Sequence, residues 1–118
     1  MINCELFVNY LGDREKLKIK IVSFVNGVSE KFGLVDSPSL GINIKENELY
    51  NSVEYGGIIP EENDEKRPYY YKYRINIEPK NDNIEEKLYL DSIRSLVEGL
   101  KNDGMKVFLS PDIINKRN

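Results

Sequence analysis

The segment 69–79, with the sequence YYYKYRINIEP, alternates between two kinds of side chain. Its odd positions hold tyrosine and isoleucine up to Ile77, whereas its even positions hold Tyr70, Lys72, Arg74, Asn76 and Glu78. Successive side chains of a strand point to opposite faces, so this period of two predicts a β-strand with one apolar and one wet face. Such a strand fits the interior of a sheet that is covered by helices on one side only.

Similar alternation predicts three more strands. They lie at 2–10, 41–45 and 105–110, with Leu49 and Tyr50 as an extension of the second one. Their inward positions are mainly aliphatic. Cys4 alternates with Leu6 and Val8, which predicts a small buried side chain rather than a reactive thiol.

Two further segments have apolar residues at helical spacing. The first helix is predicted at 14–32, with Asp13 as its N-cap and Gly33 as its C-cap. Residues 17–21 also alternate as a strand would, but the apolar stripe continues for about four turns and favours the helix. A second helix is predicted to run to about Asn102 and to end at Gly104, with Asn83 and Glu86 as a capping box.

The resulting order is strand, helix, strand, strand, helix, strand. The simplest arrangement is an α+β fold of the ferredoxin-like βαββαβ type, with an antiparallel sheet of order 4-1-3-2 and both helices on one face. A length of 118 residues predicts one domain, 1–118. Within it, 51–68 is expected to be a long acidic loop and 113–118 a frayed tail.

Composition argues against several kinds of chemistry. The chain has no histidine and a single cysteine, so the commonest general base and the commonest zinc ligands are missing. We therefore expect no catalytic residues, no metal site and no cofactor. The apolar runs are too short to span a bilayer, and no secretory signal is recognisable, which predicts a cytoplasmic location.

Two surfaces are candidates for binding a partner. One is the sheet face away from the helices, where aromatic and cationic side chains are expected together: Phe7, Tyr70, Lys72, Arg74 and Phe108. The other is the acidic stretch of the long loop, with carboxylates that suit a basic partner: Glu61, Glu62, Asp64 and Glu65. Isolated surface aromatics and a solvated turn are the alternatives for these two surfaces.

In size, acidity, lack of catalytic groups and α/β layout, the whole chain resembles the small cytoplasmic immunity proteins of bacterial toxin systems. The resemblance implies a protein that neutralises a toxin by binding it directly, with a basic toxin domain encoded nearby as the partner. An ACT-like regulatory domain that senses a small molecule, as a homodimer, is the alternative. RNA binding through the sheet face is third, because the net charge is −3 and the Gly-aromatic-Gly motif of RNA-recognition domains is absent.

Overall fold

The computed structural model describes residues 3–31, 40–48, 50, 60–61, 63–80 and 84–111. Parts of the chain about which the sequence makes predictions lie outside these residues. They are Gly33, Leu49, Asn83, the tail 113–118 and most of the loop 51–68, including Glu62.

The strands and helices follow the predicted order. The strands are β1 (Cys4–Asn9), β2 (Leu40–Glu46), β3 (Tyr73–Pro79) and β4 (Lys106–Ser110). The α-helices are α1 (Arg14–Lys31), between β1 and β2, and α2 (Glu86–Asn102), between β3 and β4. A short 3₁₀-helix at Arg67–Tyr70, which we call the strap, precedes β3.

The four strands form one open antiparallel sheet of order β2-β3-β1-β4, so that β3 and β1 are the central strands. Counted from the opposite edge, the same order is 4-1-3-2. The register places Leu6 opposite both Ile75 and Leu109, and Phe7 opposite both Arg74 and Phe108. The α+β class, the four-stranded antiparallel sheet and the two helices are thus confirmed.

The core lies between the helices and one face of the sheet. Leu6, Val8, Ile75 and Ile77 project from the central strands, and their exposed fractions are 1% or less. They pack in one cluster with buried residues of both helices: Leu17, Ile21 and Val25 of α1, and Tyr89, Ile93, Leu96 and Leu100 of α2. Because both helices cover this face, the opposite face is the one available for other contacts. We call it the open face.

The helix ends confirm two of the predicted caps. The Asp13 carboxylate accepts a hydrogen bond from the Lys16 backbone N–H at 2.8 Å, as an N-cap does. After α2, Gly104 has φ +90° and the N–H of Met105 donates to the carbonyl of Leu100, as in a Schellman ending. The capping box at the start of α2 is wrong. The helix begins at Glu86, and its N-cap residue Glu85 makes no side-chain cap bond.

The prediction for the beginning of β3 is also wrong, because the strand starts at Tyr73 rather than at residue 69. Pro68 stands in the first turn of the strap, a position that suits the fixed φ of proline. The N–H of Tyr69 donates to the Lys66 carbonyl and that of Tyr71 to the Pro68 carbonyl, both at 3.1 Å. Each of these hydrogen bonds joins a residue to the third residue before it. They take the place of the β-ladder hydrogen bonds that the alternation predicted for 69–72.

The strap changes where the tyrosines lie. The alternation of 69–79 predicts Tyr69 on the helix-facing side, yet its ring contacts Phe7 and Phe108 on the open face. Tyr73 is buried in the core, as predicted, with 1% of its surface exposed. The predicted extension of β2 is wrong as well, since this strand ends at Glu46. The open face is therefore partly covered by the chain itself.

Candidate functional site

Three aromatic rings meet on the open face, and we call them the aromatic cluster: Phe7, Tyr69 and Phe108. The Tyr69 ring centroid lies 5.2 Å from that of Phe7 and 5.2 Å from that of Phe108, in edge-to-face geometry both times. Phe7 and Phe108 are neighbours on paired strands, with centroids 6.2 Å apart. Phe7 is only 5% exposed, whereas Tyr69 keeps 37% of its surface in solvent. Phe7 is therefore not exposed, because Tyr69 covers it, and its part in binding stays a prediction.

Arg74 lies on the open face, as predicted, and its charge is partnered there. Its guanidinium donates through Nε and Nη2 to the same carboxylate oxygen of Glu5, with the Nε distance at 2.8 Å. Its Cζ atom also lies 5.5 Å from the centroid of the Phe7 ring, within cation–π range. Arg74 is thus held between a carboxylate and an aromatic ring.

The other predicted members of the open-face set are placed differently. Tyr70 belongs to the strap rather than to a strand and is half-buried. Lys72 precedes β3, and its ammonium lies 5.3 Å from the centroid of Tyr73. The structure therefore brings Phe7, Arg74 and Phe108 together, adds Tyr69, and places Tyr70 and Lys72 in the connection that leads into β3.

The described acidic residues Glu61, Asp64 and Glu65 are all exposed and stand directly before the strap. The N–H of Asp64 donates to the Glu61 carbonyl at 2.9 Å, and the Asp64 carboxylate accepts from the N–H of Lys66 at 2.8 Å. These bonds form a defined turn, which we call the acidic turn.

The acidic turn is joined to the strap by Arg67. Its N–H donates to the Asp64 carbonyl at 3.0 Å, and its guanidinium donates to the Pro60 carbonyl at 3.0 Å. The acidic turn and Tyr69 of the aromatic cluster are therefore consecutive parts of one segment, which links two surfaces that the sequence analysis treats as separate. That segment carries exposed carboxylates and the half-exposed Tyr69, whose ring lies on the open face.

Asn47 is the residue that the sequence analysis missed. It is fully buried, and its side-chain amide donates to the carbonyls of Tyr69 and Tyr71, at 2.7 Å in both cases. Its backbone N–H donates to the Lys72 carbonyl at 2.8 Å. An amide side chain has two N–H donors, so one asparagine after β2 can fix two carbonyls of the strap region at once. The only signal in the sequence is an Asn directly after a strand, which is also common in simple turns.

Cys4 is buried in the core, as predicted, with 3% of its surface exposed. Burial raises the pKa of its thiol to about 11, and a hydrogen bond with Tyr89 offsets this only in part. Burial also raises the pKa of the Tyr89 hydroxyl above its ordinary value, and this hydroxyl donates to the Ile77 carbonyl at 3.3 Å. Both groups are protonated at neutral pH and act as packing elements.

Among the described residues, no three side chains of the metal-binding types come together in a way that would hold an ion. In the same part of the chain, no helix has the length and apolar character needed to cross a membrane.

Comparison with known proteins adds no relative. No protein-family model, no curated protein and no solved structure matches the chain. The class of the chain is therefore defined by its own architecture, an α+β domain with an open antiparallel sheet, two helices on one face and a strap across part of the other.

Proposed function

We propose that the chain is a non-catalytic protein-binding domain, and that its binding surface consists of the acidic turn and Tyr69. The observation that carries the proposal is that hydrogen bonds and ring contacts fix the backbone of the acidic turn and the ring of Tyr69. Glu61, Asp64 and Glu65 extend into solvent from a hydrogen-bonded turn, and Tyr69 rests on two aromatic rings beneath it. A hydrogen-bonded turn and a tyrosine ring that is already packed lose little backbone and ring freedom on binding, which favours a specific contact.

The charge of the surface favours a basic partner. Carboxylates that project from one turn attract cationic side chains, accelerate encounter and disfavour acidic partners. Because no His is present and the Cys4 thiol is buried and protonated, the groups that remain near the surface suit recognition better than covalent or acid–base chemistry.

We extend the proposal to the kind of partner that the resemblance implies. The domain is proposed to act in the cytoplasm as an immunity protein, with a basic toxin domain encoded by an adjacent gene as its partner. It would neutralise this toxin by occupying its active surface. The finer fold assignment belongs to the same proposal: a ferredoxin-like βαββαβ unit in which the strap is an addition before β3.

Recognition of RNA by stacking is less favoured by the geometry. Single-stranded bases stack on exposed aromatic side chains, whereas the ring of Phe7 is covered by Tyr69 and flanked by the guanidinium of Arg74. The carboxylates of the acidic turn stand on the segment that covers it, and they would repel phosphates. Both features support a protein as the partner.

The test is a binding measurement between the purified chain and the protein encoded next to it. The informative variant is Glu61→Lys combined with Glu65→Lys, because both side chains are exposed and Asp64, whose carboxylate supports the turn, is left intact. We expect affinity to fall at least about 10-fold, equivalent to about 1.4 kcal/mol, and the remaining binding to depend less on salt.

The matched control is Glu15→Lys combined with Glu98→Lys, which makes the same change of charge on exposed positions of the two helices. These positions lie on the other side of the sheet, so binding should be retained within about twofold. Equal losses in both double variants would show that net charge alone governs binding. The absence of any complex with the neighbouring protein would contradict the immunity proposal.

A further inference from the structure

We propose that the acidic turn and the strap open and close as a unit separate from the sheet, and that Asn47 is the pin that holds this unit closed. The inference concerns the free protein and does not depend on the proposed function. It assigns Asn47 a positioning role, which is to hold the strap against the sheet.

The first argument comes from where the backbone hydrogen bonds of the segment end. The N–H groups of Arg67, Tyr69 and Tyr71 donate to carbonyls only three residues back, within the segment itself. The ladder between β3 and its neighbours begins at Tyr73, which pairs with Val8 and Glu46. The segment can therefore leave the sheet without breaking a β-ladder bond.

The second argument concerns what holds the segment in place. The Asn47 amide reaches two of its carbonyls, and the ring of Tyr69 rests on Phe7 and Phe108. A buried amide must keep its partners, because an unsatisfied buried donor costs more than a hydrogen bond contributes. The hydrogen bonds from the Asn47 amide to Tyr69 and Tyr71 form only when the strap lies in its closed position, and both are lost when the strap moves away. The closed state is therefore distinct from the open state, without intermediates that keep one bond.

The third argument is what the open state uncovers. Without Tyr69, the buried ring of Phe7 and the ring of Phe108 would form an apolar surface next to the guanidinium of Arg74. The central strands would keep their pairing. Their other face carries Leu6, Ile75 and Ile77, which remain covered by the helices. Local opening of this kind needs less free energy than unfolding of the whole domain.

Amide hydrogen exchange measured by NMR tests the inference. In Asn47→Asp, a carboxylate replaces the two donors and faces two carbonyl oxygens. A single 3₁₀ turn does not persist once it leaves the surface on which it packs, so opening exposes its amides. In the unaltered protein we expect the amides of Arg67, Tyr69 and Tyr71 to exchange at least about 10-fold faster than those of β1 and β3, and Asn47→Asp should accelerate them at least about 10-fold more. Asn43→Asp is the matched control, because it makes the same replacement at an exposed position of β2 and should leave both groups unchanged.

A second variant keeps the test decisive if Asn47→Asp does not fold. Tyr69→Ala removes a second attachment of the strap and should also raise exchange at Arg67 and Tyr71 at least about 10-fold. Equal protection of the strap and of the central strands in the unaltered protein would overturn the inference, because the strap would then be part of the same cooperative unit as the sheet. Unchanged exchange at the strap amides in both variants would overturn it as well.

Discussion

Replacing Phe7 by alanine tests whether the open face is truly covered. An exposed surface residue can usually be replaced with a change of no more than about 0.5 kcal/mol in the free energy of unfolding. Phe7 is 5% exposed, however, and truncation of a buried Phe to Ala typically costs about 3–5 kcal/mol. The loss of unfolding free energy expected for a covered Phe7 therefore exceeds that expected for an exposed Phe7 by at least about 2.5 kcal/mol.

The contacts of Phe7 place the expected value near the lower end of that range. Burying the ring contributes roughly 2–3 kcal/mol, and its pairs with Tyr69 and Phe108 add about 0.5–1.5 kcal/mol each. The strap can settle into part of the space left by the ring, which reduces the cavity term. We expect Phe7→Ala to lower the free energy of unfolding by about 3 kcal/mol.

Urea denaturation followed by far-UV circular dichroism measures this loss without a tryptophan, which the chain lacks. With a slope of about 1.5 kcal/mol per molar urea, the midpoint should fall by roughly 2 M. Ile19→Ala is the control, because Ile19 is 69% exposed on α1 and its loss should leave the midpoint nearly unchanged. A Phe7→Ala midpoint within 0.3 M of the wild type, as a rough bound, would refute the covered-face description.

Three further predictions concern caps and titration. Asp13→Ala should lower stability by about 1 kcal/mol, or about 4 °C in thermal denaturation, because the bond to Lys16 is lost; an unchanged melting temperature would contradict the cap. Gly104→Ala should cost about 1–2 kcal/mol in urea denaturation because φ is +90°, and a wild-type midpoint would count against that backbone. The Cys4 thiol has a raised folded pKa, so its contribution is fully present below the unfolded pKa near 9 and is lost as pH rises through about 11. Midpoints measured from pH 8 to 11 should therefore fall more steeply for the wild type than for Cys4→Ala, and parallel curves would disprove the assignment.

The fold could be predicted to the extent that local periodicity determines it. The helix at 14–31 was distinguished from a strand by the length of its apolar stripe. The alternation of Leu17, Ile19 and Ile21 was misleading, because Ile19 is exposed while the other two are buried. The strand pairings followed from the element order, since un-knotted connections of fixed hand leave few arrangements for four strands and two helices.

The covered site could not be predicted, because it depends on contacts between distant parts of the chain. Tyrosine fits a strand or a 3₁₀-helix equally well, so the alternation of 69–79 continued past the point where the strand begins. The amide of Asn47 acts on carbonyls 22 and 24 residues later. No pattern within β2 or the strap reveals this contact, and without it the position of Tyr69 over Phe7 cannot be inferred.

The central place of β1 in the sheet has a consequence for how the protein is made. Glu5 and Arg74, which meet across the two central strands, are 69 positions apart in the sequence. At about 5–20 residues per second, the ribosome needs roughly 4–14 s to produce the partner strand after β1 has been synthesised. During that time the nascent β1 has neither of its two neighbours, and its apolar residues are open to chaperones and to aggregation.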